Sequence, residues 1–328
     1  MGTRKRTYRT AEMFVMETSL RKAYASIALS ALLAGCSNSA SNPSPANPLP
    51  AAQARPNKYA GLNDLYVSDD ERGQITLLKN DRYVPDGAIT AGINGPFGVT
   101  LDTGGNLYVA NREGGNITEY SPGSSEPSFT YSAGMTKPLA VTVDRRGNVF
   151  ETDVPVYGGP DVVNEYAQQS DAVLHSCTVA GLYGVALDSA GNVFVDYNLS
   201  GQGGHIAEFK GGLGSCAPVV LDAHVYHANG MAFDNNDNLI ICDGVNRTVD
   251  IIKPPYSKIN RRLLHFGLPV FVSIDKANKH VFVTAETNYW QYLYVLDYVS
   301  GKKLRRLGPG HGGIDIPMAA VDGPNDVP

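Results

Sequence analysis

His224, His227, Asn229 and Asp243 lie within twenty residues of one another. Imidazole nitrogens and carboxylate or amide oxygens are what a divalent metal binds, and a metal-bound water is a nucleophile for ester or lactone hydrolysis. In an extended segment, residues three apart point to opposite faces, so His224 and His227 do not converge on one ion. His227 alone, at the mouth of the channel, is the better candidate of the two. Asn229 and Asp243 would supply oxygens to a cation such as calcium, and Asp243 and His227 would stand nearest the chemistry. A wider group of polar and aromatic side chains could bind a ligand: Asn111, Arg112, Asp153, Tyr183, Tyr197, Asn198, Arg247 and Trp290, together with these. The competing reading is that Asp, Asn and Gly only make turns. No Gly-x-Ser-x-Gly elbow and no Cys-x-x-Cys pair occurs, which removes the common hydrolase nucleophile and the commonest zinc spacing. The glycine-rich stretches 201–204 and 308–313 do not link a strand to a helix, so a phosphate loop is not expected.

The elements that must position these residues are set by a repeat. Gly98-Val99-Thr100-Leu101-Asp102, two spacers, then Gly105-Asn106-Leu107-Tyr108-Val109 recurs with its aspartate at 144, 188, 234 and, degraded, 275. The spacings of 42, 44, 46 and 41 residues are those of one propeller blade. Within a unit, β-branched runs flank an Asp-x-x-Gly-Asn turn, a hairpin signal. A third strand follows, as in Asn116-Ile117-Thr118-Glu119-Tyr120, and room remains for a fourth, for example at Ala172–His175 or Val219–Leu221. The chain begins its repeats mid-unit, at Asp64-Leu65-Tyr66-Val67, with no first strand before them. The missing strand stands at the other end, where Ala319-Ala320-Val321-Asp322 repeats the phrase. The expectation is an all-β, six-bladed β-propeller, closed by a C-terminal strand that completes the N-terminal blade. Its candidate site is the face carrying the loops between second and third strands and those leading into each first strand.

The phrase Gly-Val-x-Leu-Asp-x-x-Gly-Asn-Leu-Tyr-Val-Ala-Asn, followed by Asn116–Tyr120, resembles an NHL-type repeat, and the chain from about residue 60 onward is similar to gluconolactonase-like six-bladed propellers. The gluconolactonase resemblance implies a divalent metal held by a Glu near the start of an inner strand, by Asn ligands from other blades, and by an Asp that also serves catalysis. Asn229 and Asp243 stand for the Asn and the Asp. At the first-strand positions Gly98, Ala140, Gly184, Gly230, Phe271 and Met318 there is no glutamate, a departure from that pattern.

Residues 1–57 precede the repeats. Arg21-Lys22, the apolar run Ala23–Ala34 and the small residues at its end read as a secretory signal over 1–35, too short to span a membrane as a helix. Met13 or Met16 would serve as well as Met1 for its start. Leu33-Ala34-Gly35-Cys36 resembles the bacterial lipoprotein signal, which implies acylation of Cys36 and, with Ser37 following, an outer membrane where one exists. Residues 36–57, rich in Pro, Ser and Ala, read as a disordered tether, and 58–328 as the propeller.

The whole chain carries −5; its first 35 residues carry +4, which leaves −9 on the remainder. That balance argues against nucleic acid as a partner. Export permits disulfides, but outer strands of adjacent blades splay apart, which weighs against pairing Cys177 with Cys216. Cys242 reads as a buried small hydrophobe. The expected function is a lipid-anchored binding scaffold, monomeric, meeting an envelope protein, glycan or small polar molecule. The alternative is a metal-dependent hydrolase or lyase at the channel mouth.

Overall fold

A computed structural model describes residues 64–79, 83–155, 159–263, 266–288, 290–309 and 313–323. The signal segment, the tether and Cys36 lie outside the described residues. The described chain forms six four-stranded antiparallel sheets. Blade 1 pairs β24 (Pro317–Asp322), β1 (Asp64–Asp69), β2 (Gln74–Lys79) and β3 (Val84–Ile89) in that order. Blade 2 is β4 (Pro96–Leu101), β5 (Leu107–Asn111), β6 (Asn116–Tyr120) and β7 (Phe129–Tyr131). Blade 3 is β8 (Pro138–Val143), β9 (Val149–Asp153), β10 (Val162–Tyr166) and β11 (Val173–Thr178). Blade 4 is β12 (Leu182–Leu187), β13 (Val193–Leu199), β14 (Gly203–Phe209) and β15 (Val219–Val220). Blade 5 is β16 (Ala228–Phe233), β17 (Leu239–Asp243), β18 (Thr248–Ile252) and β19 (Ile259–Leu263). Blade 6 is β20 (Leu268–Ile274), β21 (His280–Thr287), β22 (Trp290–Asp297) and β23 (Lys303–Leu307). The first strands touch in cyclic order, and β24 meets both β4 and β20, so the ring closes as the repeat predicts.

One detail of closure differs from the sequence pattern. Leu65 lies opposite Asp322, whereas its counterpart Leu107 lies opposite Leu101, the residue before the phrase aspartate. β24 is therefore shifted by one position, and the residue matching Gly98 is Ala319 rather than Met318. The cause is local: after Asp322 comes Gly323, with no Asp-x-x-Gly-Asn turn to fix the register.

Where that turn exists, its aspartate builds it. Asp102 accepts the Asn106 backbone N–H at 2.8 Å and its side-chain amide at 2.7 Å, and Asp144, Asp188 and Asp234 repeat both bonds with Asn148, Asn192 and Asn238. Gly105, Gly147 and Gly191 take φ values of 82°, 84° and 81°; Asp237 and Asn278 fill the same left-handed place in the copies without glycine. Gly98 serves another end. A Cβ there would lie 2.7 Å from the Leu139 carbonyl oxygen, because the neighbouring first strand passes that close.

The core lies between blades. Tyr108 and Ala110 of blade 2 pack with Val141, Val149 and Tyr166 of blade 3, and corresponding clusters join blades 4 to 5 and 5 to 6. Glu151 interrupts this pattern. It stands where other blades carry Val67, Val109, Val195, Ile241 and Val283, fully buried, with Asn164 donating to Oε1 at 2.6 Å. Burial holds its carboxyl well above the usual range.

Cys177 and Cys216 form a disulfide, contrary to the expectation from blade splay. Cys177 is on β11, but Cys216 is not on a fourth strand. It follows a 3-10 turn, Leu213–Ser215, in the long β14–β15 connection. That turn reaches back to β11 of blade 3, burying Leu213 and bringing the Cα atoms to 5.3 Å. The bridge spans 39 residues. Replacing both cysteines by serine should lower stability by about 2–4 kcal/mol, from the loop entropy returned to the unfolded chain. The denaturation midpoint of the double variant checks this, and an unchanged midpoint would show that the bridge does not constrain the fold.

Candidate functional site

The first strands surround a cavity of about 220 Å³ lined mainly by small residues, Thr100, Thr142 and Ser273 among them, with Met231, Phe233 and Phe271 the largest. At the end carrying the β1–β2-type loops it is sealed by aromatics from alternate blades. Phe97 and Tyr183 each lie 5.5 Å from Phe271, ring centroid to centroid, and all three are buried. Arg112 places its guanidinium 5.5 Å from the Phe97 ring centre, within cation–π reach. The mouth is thus a capped surface rather than an open funnel.

The carboxylates and amides around the cap hold loops in place. Asp69 accepts the Asp315 and Ile316 N–H groups at 3.0 and 3.1 Å. Asn111 accepts that of Asn94 at 3.1 Å. Asp153 accepts the Thr136 N–H and hydroxyl and the Lys137 N–H. Asp243 accepts the Tyr226 N–H, the Asn246 N–H and the Asn246 side-chain amide. Each of these residues ends a second strand, and each clasps the segment leading into its own blade's first strand. Asn198 does related work across blades, donating to the Ala228 carbonyl at 2.7 Å and accepting the Ala228 N–H at 2.9 Å.

His227, Asn229 and Asp243 do come together in blade 5, where Ala228 pairs with Asp243 and Asn229 with Cys242. The His227 ring and the Asn229 amide both crowd Gly244, at 3.0 Å from where a Cβ would sit. Asn229 donates to the Pro269 carbonyl at 3.1 Å, while its Oδ1 is buried with no partner among the described residues. His224 turns away, edge-on to Tyr226. Among the described residues, no group of three or more His, Cys, Asp or Glu side chains is disposed to hold a metal. Tyr183 belongs to the cap, and Tyr197 stacks on His205 at 5.2 Å. Arg247 and Trp290 are exposed on the loop face.

Two residues outside the candidate set stand out, and repeat logic could have found one of them. Ser68, Thr152 and Thr284 occupy one repeat position and staple neighbouring blades. Each hydroxyl accepts a first-strand N–H of its own blade, from Ala319, Ala140 and Phe271, and donates to the next blade's carbonyl, at Phe97, Tyr183 and Met318. Blade 4 carries Asp196 at that position. Its Oδ1 accepts the Gly184 N–H at 3.1 Å, and its Oδ2 is buried with no partner among the described residues. Burial pushes its carboxyl up to about 7. A protonated Oδ2 is a donor, which is the part a hydroxyl plays in the other staples. The second residue, Asp70, begins the β1–β2 turn. Burial, with Glu113 nearby, pushes it up to about 6, and Arg112 opposes the shift.

No family model matches the chain, and no curated protein matches it. Among solved structures the chain is similar to one in a crystal structure of a Nidogen/Laminin complex, at 18% identity and a TM-score of 0.59, covering 74% of this chain and 92% of that one. It is also similar to a functionally unknown protein from Desulfotomaculum acetoxidans, at 13% identity and TM-score 0.55, covering 78% and 82%. A third is a protein of unknown function from Bacteroides caccae, at 12% identity and TM-score 0.58, covering 75% and 94%. At these identities the likeness is one of fold.

An acid whose folded pKa is raised favours folding below its unfolded pKa, and that advantage is lost as pH rises through the folded value. For Asp196 the window runs from 3.8 to about 7. Asp196→Thr, which restores the hydroxyl staple, should gain stability over the parent across that window. The gain should reach on the order of a few kcal/mol and level off above it. Denaturant titrations at several pH values test this, and parallel pH profiles for the two proteins would exclude a neutral Asp196.

Proposed function

We propose that this chain is a lipid-anchored, extracytoplasmic propeller that acts as a binding scaffold, meeting a protein of the cell envelope through the loop face of blades 5 and 6. The observation that carries this reading is the character of that face. Tyr226, Val245 and Trp290 stand 51%, 49% and 55% exposed on its loops, with Arg247 exposed beside Val245. Tyr, Trp and Arg are the residues in which interface energy concentrates. The carboxylates nearby are spent on backbone N–H groups, so the loops that present these side chains are fixed. The anchor rests on the Leu33–Cys36 signal and the tether, and the envelope location follows from it.

A second reading rests on Asn229 Oδ1. A buried acceptor without a partner among the described residues, beside His227 and Asp243, supports a metal-dependent hydrolase or lyase holding a cation such as calcium. Asp243 weighs against it, because its oxygens already accept three hydrogen bonds.

Trp290 is the single tryptophan, so its fluorescence reports on this face alone. A photo-crosslinker placed at residue 290 in cells should trap one defined protein, whereas the same group at Val299, 78% exposed on the opposite face, should not. Trp290→Ala should weaken binding of the trapped protein by about tenfold or more, with unchanged melting. Equal trapping from both positions would overturn the reading. Elemental analysis, with melting before and after chelation, separates the second reading. A stoichiometric divalent metal whose removal lowers the melting temperature would favour the hydrolase.

A further inference from the structure

Arg112 and Asp70 carry opposite charges on adjacent blades at the capped mouth, and among the described residues neither side chain closes a hydrogen bond or ion pair that neutralises it. Arg112 opens the β5–β6 loop, and its backbone N–H donates to the Gly95 carbonyl at 2.8 Å. Its side chain folds inward over Phe97. Its Nε is buried and has no acceptor among the described residues. Asp70 is fixed in the same way. Its N–H donates to the Ile316 carbonyl, and its own carbonyl accepts from Gly73, both at 3.1 Å.

Two acids near Arg112 are engaged elsewhere. Asp69 is taken by Asp315, Ile316 and Arg72, and Glu113 pairs with Lys137 at 2.5 Å. Backbone bonds pin each turn to its own blade, and among the described residues the Asp70 carboxylate and the guanidinium form no ion pair. Two half-desolvated opposite charges held apart over a closed aromatic floor are complementary to a molecule that carries both charges itself.

We infer that Arg112 and Asp70 form a site for a small zwitterion of the free amino acid type, its carboxylate on the guanidinium and its ammonium on the Asp70 carboxylate. Such a ligand satisfies both groups at once. A simple anion would leave Asp70 without a partner, and Glu113 near the site would repel it. The site does not depend on the protein surface of blades 5 and 6. The charge state of Asp70 supports it: burial, Glu113, Glu71 and Asp69 raise its pKa while Arg112 lowers it, to about 6. It is therefore ionised at neutral pH and neutral below that value.

The test is calorimetric titration of the whole protein at pH 7.5 with glycine, β-alanine and γ-aminobutyrate, which space the two charges progressively, and with acetate and methylammonium as single charges. At least one zwitterion should bind about tenfold or more tightly than either single ion. Arg112→Gln and Asp70→Asn should each lower that affinity by about tenfold or more while still melting cooperatively, with Asp70→Asn melting no lower than the parent at pH 7.5. Affinity should fall as pH drops through about 6. Acetate binding as tightly as the best zwitterion would overturn the inference in favour of an anion site. Absence of binding across the series, or unaltered affinity in Asp70→Asn, would overturn it outright.

Discussion

Everything in this molecule depends on the pairing of β24 with β1. A sheet of four strands in each blade buries its faces only against its neighbours, so six blades are stable only as a ring. The first blade takes its innermost strand from residues 317–322 and the rest from residues 64–89. That pairing joins the two ends of the repeat array and leaves no blade face uncovered. The Ser68 hydroxyl adds to it, bonding β24 through Ala319 and reaching the Phe97 carbonyl of blade 2.

The same economy governs the polar residues. On one face, each phrase aspartate spends its oxygens chiefly on its own hairpin, Asp234 also accepting from the Tyr298 hydroxyl of the next blade. On the other, Asp69, Asn111, Asp153 and Asp243 spend theirs on the loops leading into the first strands. A buried acceptor must find a donor, and backbone N–H groups at strand ends are the nearest ones. This is why a ring of acidic and amide side chains at a propeller mouth is first a framework. The residues proposed above to bind ligands, Arg112, Asp70, Tyr226, Val245 and Trp290, use side chains that this framework does not engage.

Departures from the repeat are the informative positions. Glu151 puts an acid where other blades have Val or Ile, and Asp196 puts one where three blades have a hydroxyl. Both are fully buried, and burial raises both pKa values. In each case one oxygen is bonded and the other has no partner among the described residues. A polar group placed in that way costs stability, and it marks where this chain differs from the repeat it otherwise follows.

The sequence alone determined the blade count, the closure and the hairpin chemistry, because those follow from local periodicity and from glycine and aspartate at fixed offsets. It determined the strand positions closely, Val219–Val220 among them. It could not determine the disulfide, because Cys216 leaves its blade on a turn whose path depends on packing against β11. Nor could it set the one-residue shift of β24, since no turn follows Asp322 to hold the register. It placed Asn111, Asp153 and Asp243 on the correct face, but only tertiary structure decided what their oxygens bond. Whether a side chain is spent or free depends on which backbone donors the neighbouring segment brings within 3 Å, and that distance is a property of the folded ring.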